Sequence, residues 1–557
     1  MSGERLIYMP LGGAGEIGMN AYVYGYGKPD QERLIVVDLG VTFGDMDGTP
    51  GIDLILPDVA WLEARRDRIE AIIVTHAHED HVGAVGLCWD RLRAPIYARR
   101  FTMAIAKLKL EERGAQIPDS MLREVGAWPE TFQLGPFTVG FVPISHSIPE
   151  SAGLVIDSPE GRIVHSGDFK IDPTPVVGEP FDAELWAEVA RPGVRALMCD
   201  STNVFSPHPG RSEASLVDNL ASLLRESKGL VVATTFASNV ARLQTLANAA
   251  SASGRSVCLL GRAMRRMVET AIATGLLTQF PKTVSPEDAS QIPRENLLLL
   301  VTGSQGERRA AASQLSSQGY MGLSLQEGDT FLFSARTIPG NEKPVSRIMN
   351  QLSEKGVDVL DDEGGRYHVS GHANRPDLET FHDIIKPQFL IPMHGEHRHL
   401  REHMKLGEAK GLKGIIATNG MMIDLSGNAP KVAEYVETGR TYLDGNTLIG
   451  AMDGVIRDRM RMALNGHVTV TLIVDEQDEP LGEPWCELMG LPGKGRSNAD
   501  LVEVLEADLS QFIKRAEKRT LRDDERLEKE LIRIVRQTSQ AEIGKKPEVT
   551  VVVSRLV

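Results

Sequence analysis

The sequence predicts an α/β protein in three parts: a strand-rich body interrupted by a parallel-sheet insertion, then a small C-terminal α/β module. Three observations carry this. Residues 1–210 read as short β-branched strands separated by turns, some followed by helices. From 211 to 360 strands and helices alternate regularly, the order that gives a parallel sheet with helices on both faces. Residues 361–434 then return to the first pattern, and 452–557 carry their own elements beyond a polar linker at 435–451.

Taken in order, the first body supplies the apolar runs RLIVVD (33–38), EAIIVT (70–75), FTVGFVPI (137–144), RIVHSGD (162–168) and VRALMCD (194–200), each of strand length. The insertion supplies GLVVATTF, SVCLLG, NLLLLVTG, DTFLFSA and VDVLDD, separated by helical stretches such as NVARLQTLANAA and RAMRRMVETAIATGLL. PQFLIPM (387–393) is a further buried strand of the first body. The C-terminal module reads as VTVTLIVD, WCELMGL, two helices over 500–518 and 523–540, and VTVVVSRL. The dense charge of DDERLEKELIRIVRQ fits a solvated helix face.

A chain of 557 residues can bury several cores, and 42% hydrophobic with 25% charged residues is ordinary for a globular protein. No apolar run reaches the roughly 18–20 residues of a membrane span, and the N-terminus has no signal-peptide layout, so a cytoplasmic protein without membrane partners is expected. Four scattered cysteines (Cys88, Cys199, Cys258, Cys486), each in or beside an apolar run, read as buried thiols. A net charge of −15 argues against non-specific coating of nucleic acid, yet leaves room for an enzyme whose groove is locally reversed by basic residues or divalent metals.

The strongest chemical signal is Thr75-His76-Ala77-His78-Glu79-Asp80-His81, just past the strand EAIIVT. A core histidine is usually single; three imidazoles and a carboxylate within six residues suit adjacent cations, zinc or manganese by ligand type. His146, Asp168 and His394 each follow the carboxyl end of another apolar strand, where the loops of a sheet edge meet. Any one alone would pass for a surface polar group. With the first cluster they complete a set for two metals, and water ionised between such ions attacks phosphorus or carbonyl carbon.

The H-x-H-x-D-H run with its later His and Asp resembles the metallo-β-lactamase superfamily, which implies an αβ/βα sandwich over 1–210 and 361–434. The resemblance assigns His76, His78 and His146 to one metal and Asp80, His81 and His394 to the other, with Asp168 bridging. Asp38, ending RLIVVD, would orient ligands from behind. Residues 211–360 resemble the β-CASP domain of the nucleic-acid-processing branch, with Asp200 (CDSTN), His372 (HVSGHA) and His394 (PMHGE) as its motifs. Nearly end to end the segments LGGAGEIGMN, VTHAHEDHVGAV, HSGDFKID, CDSTN, TFASN, VTGSQGE, IPGNE, HVSGHA and PMHGEHRHL resemble the bacterial ribonuclease J family. Arg308 and Ala335 depart from its pattern, where proline and serine are common.

That resemblance implies a 5′-to-3′ exoribonuclease favouring single-stranded 5′-monophosphorylated RNA, with added endonuclease activity, in RNA turnover and rRNA maturation. It also implies two Zn2+ (Mn2+ or Mg2+ in their place) and a homodimer or homotetramer held by the C-terminal module, with other RNA-decay proteins as candidate partners. Catalysis is expected to rest on His372, Asp200 and Asp80, with His372 protonating the leaving 3′-oxygen and Asp200 raising its basicity. RNA phosphates are expected at Ala237, Ser238, Asn239, Ser304, His368, Val369, Ser370, Gly371 and His372, small or hydroxyl-bearing loops that let amides approach closely. Arginines cluster around these loops, at 262, 265, 266, 308, 309, 366, 375 and 398, as a groove for one strand. Phe43, Phe236 and Tyr367 are the nearest aromatics for stacking, though residues of this kind are more often core. Asp53 and Asp444 stand as structural Ca2+ ligands on level terms with ordinary acidic turns.

Overall fold

The computed structural model describes residues 3–362 and 364–556. They form two compact units: one takes the chain up to Thr42 and Leu54–Thr441, the other Phe43–Asp53 and the chain from Tyr442 onward.

Two sheets face each other in the first unit. The eight-stranded sheet includes Arg5–Gly12, Ala21–Gly27, β1 (Arg33–Val37) and β2 (Ile69–Val74). The seven-stranded sheet includes β3 (Phe137–Pro143), Ala152–Ser158, β4 (Gly161–His165), β5 (Val194–Asp200) and β6 (Phe389–Met393). Tyr8, Tyr24, Val37 and Ile73 of one sheet meet Phe137, Phe141, Met198 and Ile391 of the other in a continuous core. Helices cover both outer faces: Trp89 and Phe101 pack on the side of Val36 and Ile72, and Trp186 and Phe381 on the side of Val164 and Leu197. This is the helix–sheet–sheet–helix sandwich expected from the sequence. Strands buried on both faces cannot alternate polar with apolar, which is why they read as unbroken apolar runs.

Register aligns the site. β1 and β2 run parallel with Val37 opposite Ile73. β4, β5 and β6 are mutually parallel, with His165 opposite Met198 and Asp200 opposite Met393. The carboxyl ends of these strands therefore share a sheet edge, and the polar residues that follow them emerge together.

The insertion is a six-stranded, all-parallel sheet in the order Thr283–Val284, Ser256–Leu260, Leu297–Val301, Val231–Thr234, Thr330–Phe333, Asp358–Leu360. Leu297–Val301 is buried throughout, as a central strand under helices on both faces must be. In the second unit a three-stranded sheet, Trp485–Met489, His467–Val474 and Glu548–Arg555, carries the helices Leu501–Arg515 and Asp524–Ile543. Val468, Val470, Leu472 and Val474 bury under those helices, while Ile473, Trp485, Met489 and Val552 are exposed. All four cysteines are buried and unpaired.

One stretch differs from expectation. Residues read as a polar linker contain the strands Arg440–Asp444 and Thr447–Gly450. The turn residues between them, with Gly445 at φ +60°, are hairpin chemistry that composition alone disguises as a connector.

Beneath the sandwich, His382 Nε2 lies 3.0 Å from His403 Nε2, and His403 Nδ1 lies 2.8 Å from Ser201 Oγ. Burial keeps both imidazoles neutral, pushing the pKa of His382 down from 6.5 to about 4 and that of His403 well below 6.5. In the unfolded chain both titrate at ordinary values, so as pH falls the unfolded state takes up protons first and stability is lost. The window runs from 6.5 down towards about 4 for His382. The thermal midpoint should fall on moving from about pH 7 to about pH 5, and His382→Gln should fall by less over the same interval. Equal falls in the two proteins, followed by circular dichroism, would contradict the assignment.

Candidate metal centre

The loop His76–His81 is zipped by backbone bonds to the loop after β1, Leu39 N to His81 O at 2.8 Å and Val41 N to Glu79 O at 3.0 Å, and to the segment before the strand Ala21–Gly27, Asn20 N to Asp80 O at 2.9 Å. Gly40 makes this approach possible, since a Cβ there would lie 1.6 Å from the Asp80 carbonyl oxygen. Two residues hold left-handed backbone that non-glycine residues seldom adopt, Asp38 at φ 64° and His394 at φ 50°. Such strain costs on the order of 1–3 kcal/mol each and persists only where the surroundings enforce it.

Asp38 works from behind the site. Its carboxylate accepts from Thr75 N (2.8 Å), Thr75 Oγ1 (2.9 Å) and His81 Nδ1 (2.8 Å). The Nδ1 proton of His81 is thereby fixed, which makes Nε2 the nitrogen that a cation would take. With the Thr75 hydroxyl donating to Asp38, its oxygen accepts from His76 Nδ1 at 3.0 Å, baring His76 Nε2. The Gly371 carbonyl, 2.6 Å from His146 Nδ1, does the same for His146.

The bare nitrogens converge. His78 Nδ1 lies 3.1 Å from His76 Nε2 and 3.0 Å from His146 Nε2, three ring nitrogens that hydrogen bonds alone cannot all satisfy. Asp168 Oδ2 is 3.2 Å from both His81 Nε2 and His394 Nε2, and 3.7 and 3.8 Å from His76 and His146 Nε2. Asp80 Oδ2 stands 3.5 Å from His81 and His394. Two four-residue ligand groups result, His76–His78–His146–Asp168 and Asp80–His81–Asp168–His394, sharing Asp168. Asp168 Oδ1 and His394 Nδ1 are buried without partners. Converging imidazole nitrogens, two carboxylates and an orphaned carboxylate oxygen are the donors a pair of divalent cations requires, so the residues fit a metal site.

Electrostatics agree with the geometry. Burial holds His76 and His146 well below the usual imidazole value and His78 down to about 4. Burial pushes His81 and His394 the same way, but the charge of Asp168, with Asp80, outweighs it and raises both. Burial would lift Asp168, yet His394 and His81 hold it ionised, well below its usual range. The centre is a buried negative charge ringed by nitrogen donors.

Beside it, His372 Nδ1 lies 2.8 Å from Asp200 Oδ2 and 3.9 Å from Asp168 Oδ2. Burial disfavours its charge, but Asp200 and then Asp168 raise its pKa to about 9. Asp200 is set by Thr202, whose N and Oγ1 donate to Oδ1 at 2.9 and 2.7 Å.

All seven proposed ligands and the His372–Asp200 pair thus gather at one edge. The loop residues are placed unevenly. His368, Ser370 and Gly371 are part-buried on the His372 loop, and Val369 is buried within it. Ala237 and Ser238 are part-buried, while Asn239 is buried and spends Oδ1 on Arg242 N as the cap of the helix Val240–Ala252. Ser304 is buried, and the bonds of neighbouring Gln305 run to Arg336, Ile338 and Asn341. Of the arginines, 266 pairs with Glu112, 375 with Glu402 and 398 with Glu396. Tyr367 packs against core, and Phe43 is exposed. Asp53 Oδ2 accepts from Gly445 N at 2.9 Å and Asp444 pairs with Arg459 at 2.6 Å.

Asn20 is a residue sequence reasoning passed over. It is fully buried, and its Nδ2 lies 3.0 Å from both Asp80 O and His81 Nε2. A polar residue immediately before a buried strand was the available signal.

Gly371 is required by proximity, since a Cβ there would lie 2.9 Å from both His146 Cε1 and Ser147 Oγ. Gly371→Ala should displace His146 and lower bound metal per chain without a matching fall in thermal midpoint. Elemental analysis after dialysis at full wild-type content would refute this.

Comparison with known proteins extends the geometry. Residues 15–214 match the metallo-beta-lactamase superfamily, 228–352 the ribonuclease J beta-CASP domain, 366–417 the Zn-dependent metallo-hydrolase RNA specificity domain and 454–556 the ribonuclease J C-terminal domain. The chain is 39% identical to a ribonuclease J of Sinorhizobium meliloti, over 99% of this chain and 98% of that one. It is 34% identical to one of Corynebacterium glutamicum (95% and 73%) and 33% identical to one of Thermus thermophilus (85% and 83%). A crystal structure of a protein of unknown function from Enterococcus faecalis V583 shares the fold at a TM-score of 0.51 and 17% identity, over 75% of this chain and 100% of that one.

Proposed function

Since the chain belongs to the ribonuclease J family, a metallo-hydrolase family acting on RNA, we propose that it degrades single-stranded RNA from the 5′ end, favouring a 5′-monophosphate, with endonucleolytic cleavage besides. RNA turnover and rRNA maturation in a bacterial cytoplasm are its setting. Among the described residues no helix is long and apolar enough to cross a membrane. The observation that carries the reading is the pair of ligand groups meeting at Asp168 with the His372–Asp200 pair at their border. We take the division into 1–210 with 361–434, 211–360 and 452–557 as the working domain scheme.

His76, His78, His146 and Asp168 would hold one zinc ion, and Asp80, His81, His394 and Asp168 a second, with manganese or magnesium as substitutes. Bound there, two divalent cations supply Lewis acidity toward water and toward the phosphoryl oxygens. The remaining work belongs to side chains. Asp200 keeps His372 protonated through Nδ1, and the ring's Nε2–H is the proton for the departing 3′-oxygen. Asp80 completes the second ligand group, and Asp38, Thr75 and the Gly371 carbonyl keep the imidazole lone pairs aimed. The small loops 235–239 and 368–372 offer backbone amides to phosphate.

End-labelled RNA digestion, with metal measured on the same preparation, tests the reading. A 5′-monophosphate RNA should decay faster than its 5′-triphosphate twin, and Asp80→Ala should abolish both. His372→Ala should keep its metal and lose about 100- to 10,000-fold in kcat. Indifference to the 5′ end would remove the phosphate preference, and parallel loss of metal and rate in His372→Ala would remove the proton-donor role.

The assembly is proposed as a homodimer or homotetramer, supported by the apolar sheet face of the second unit, where Trp485 and Met489 are 54% and 70% exposed. Trp485→Glu with Met489→Glu should lower the mass seen by light scattering; an unchanged oligomer would exclude that face.

A further inference from the structure

Arg242 is fully buried in the helix Val240–Ala252 of the inserted domain. A guanidinium cannot shed its charge, so a buried one must be matched on every face. Its Nε and Nη2 grip the carboxylate of Glu213 at 2.5 and 2.9 Å, a two-point ion pair. That pair accounts for the charge. It leaves Nη1 with other work.

Nη1 turns to the loop that carries the catalytic edge. It donates to Ser334 O at 2.7 Å, to Ser334 Oγ at 2.9 Å and to Tyr367 O at 3.2 Å, and lies 3.4 Å from His368 Nδ1. Ser334 Oγ donates to Tyr367 O at 2.7 Å, and Asp362 Oδ1 accepts from Tyr367 N at 3.1 Å. Burial, reinforced by Arg242 and Arg336, pushes the pKa of His368 down to about 3, so its ring stays neutral beside the guanidinium. Residues 367 and 368 are therefore held from the insertion side.

The same short loop ends at the chemistry. Gly371 O fixes His146, and His372 pairs with Asp200. Residues 368–372 are too few to absorb a displacement at one end without moving the other.

We propose that Arg242 is a positioning residue for phosphodiester cleavage: from inside the inserted domain it fixes the 367–372 loop, and through that loop the placement of His372. This rests on the ribonuclease reading above. It assigns to Nη1 a role separate from the ion pair that Nε and Nη2 make with Glu213.

Two substitutions separate the roles. Arg242→Lys keeps a positive charge for Glu213 but lacks the fork that reaches Tyr367 O. It should lose about 10- to 100-fold in kcat, the scale of a small misplacement, with KM and bound metal near wild type. The alkaline limb of its kcat profile should shift, because His372 no longer sits squarely against Asp200. Glu213→Gln removes the charge partner and leaves Nη1 in place, so it should lower the thermal midpoint more than it lowers kcat. Ser334→Ala, which deletes only the hydroxyl relay, should fall between wild type and Arg242→Lys in kcat, and it decides the matter should Arg242→Lys misfold.

Wild-type kcat and pH profile in a folded Arg242→Lys would overturn the proposal. So would parallel losses of midpoint and kcat in Arg242→Lys and Glu213→Gln, which would make Arg242 a structural ion pair. With Ser334→Ala as arbiter, wild-type kcat overturns it too. A wild-type protein unable to cut RNA under any metal condition would instead remove the ribonuclease reading itself.

Discussion

The site depends on one buried carboxylate. Asp168 has an oxygen 3.2 Å from two imidazoles of one ligand group and within 3.8 Å of two in the other, and His394 and His81 hold it ionised against its burial. A lone negative charge in a dry sandwich edge is costly unless cations are gathered against it. Each supporting contact can be read from that requirement. Asp38, Thr75 and Gly371 take the distal imidazole protons, and what remains is a shell of lone pairs around a charge.

The framework that achieves this is rigid by construction. Parallel registration of β4, β5 and β6 brings Asp168, Asp200 and His394 to one edge, and the β1–β2 pair delivers Asp38 and the histidine loop to the same edge. The remaining adjustment is made by strain and by missing side chains. Asp38 and His394 sit at positive φ, and Gly40 and Gly371 allow backbone to pass where a methyl group would collide. Stability elsewhere in the sandwich sustains these local costs.

Much of this was legible in the sequence. Strands buried on both faces announce themselves as apolar runs, and polar residues just beyond their ends are the natural site candidates, so the His76–His81 run, His146, Asp168 and His394 stood out, while Asp38, Asp200, His372 and the division of ligands between metals came from the family resemblance. What could not be read follows from contacts distant in sequence. Asn20 meets Asp80 and His81 across 60 residues, and Arg242 reaches the 367–368 loop across about twice that separation. No local periodicity marks either. The hairpin within 440–450 was missed for another reason: polar strands with a glycine turn look like a tether when only composition is weighed. Asn239, which caps its own helix, and the buried Ser304 show that small polar residues in a turn also serve the turn itself.

The buried cysteines have a practical consequence. Burial raises Cys88 and Cys486 to about 12 and Cys258 to about 11, and lifts Cys199 well above its usual value, so almost none of the reactive thiolate exists in the native molecule. They are also well distributed: Cys88 on the buried face of an outer helix, Cys199 in β5, Cys258 in the inserted sheet and Cys486 in the second unit. The chain thus carries four silent chemical tags, one per structural layer. The order in which a maleimide finds them is a natural clock for which layer breathes first.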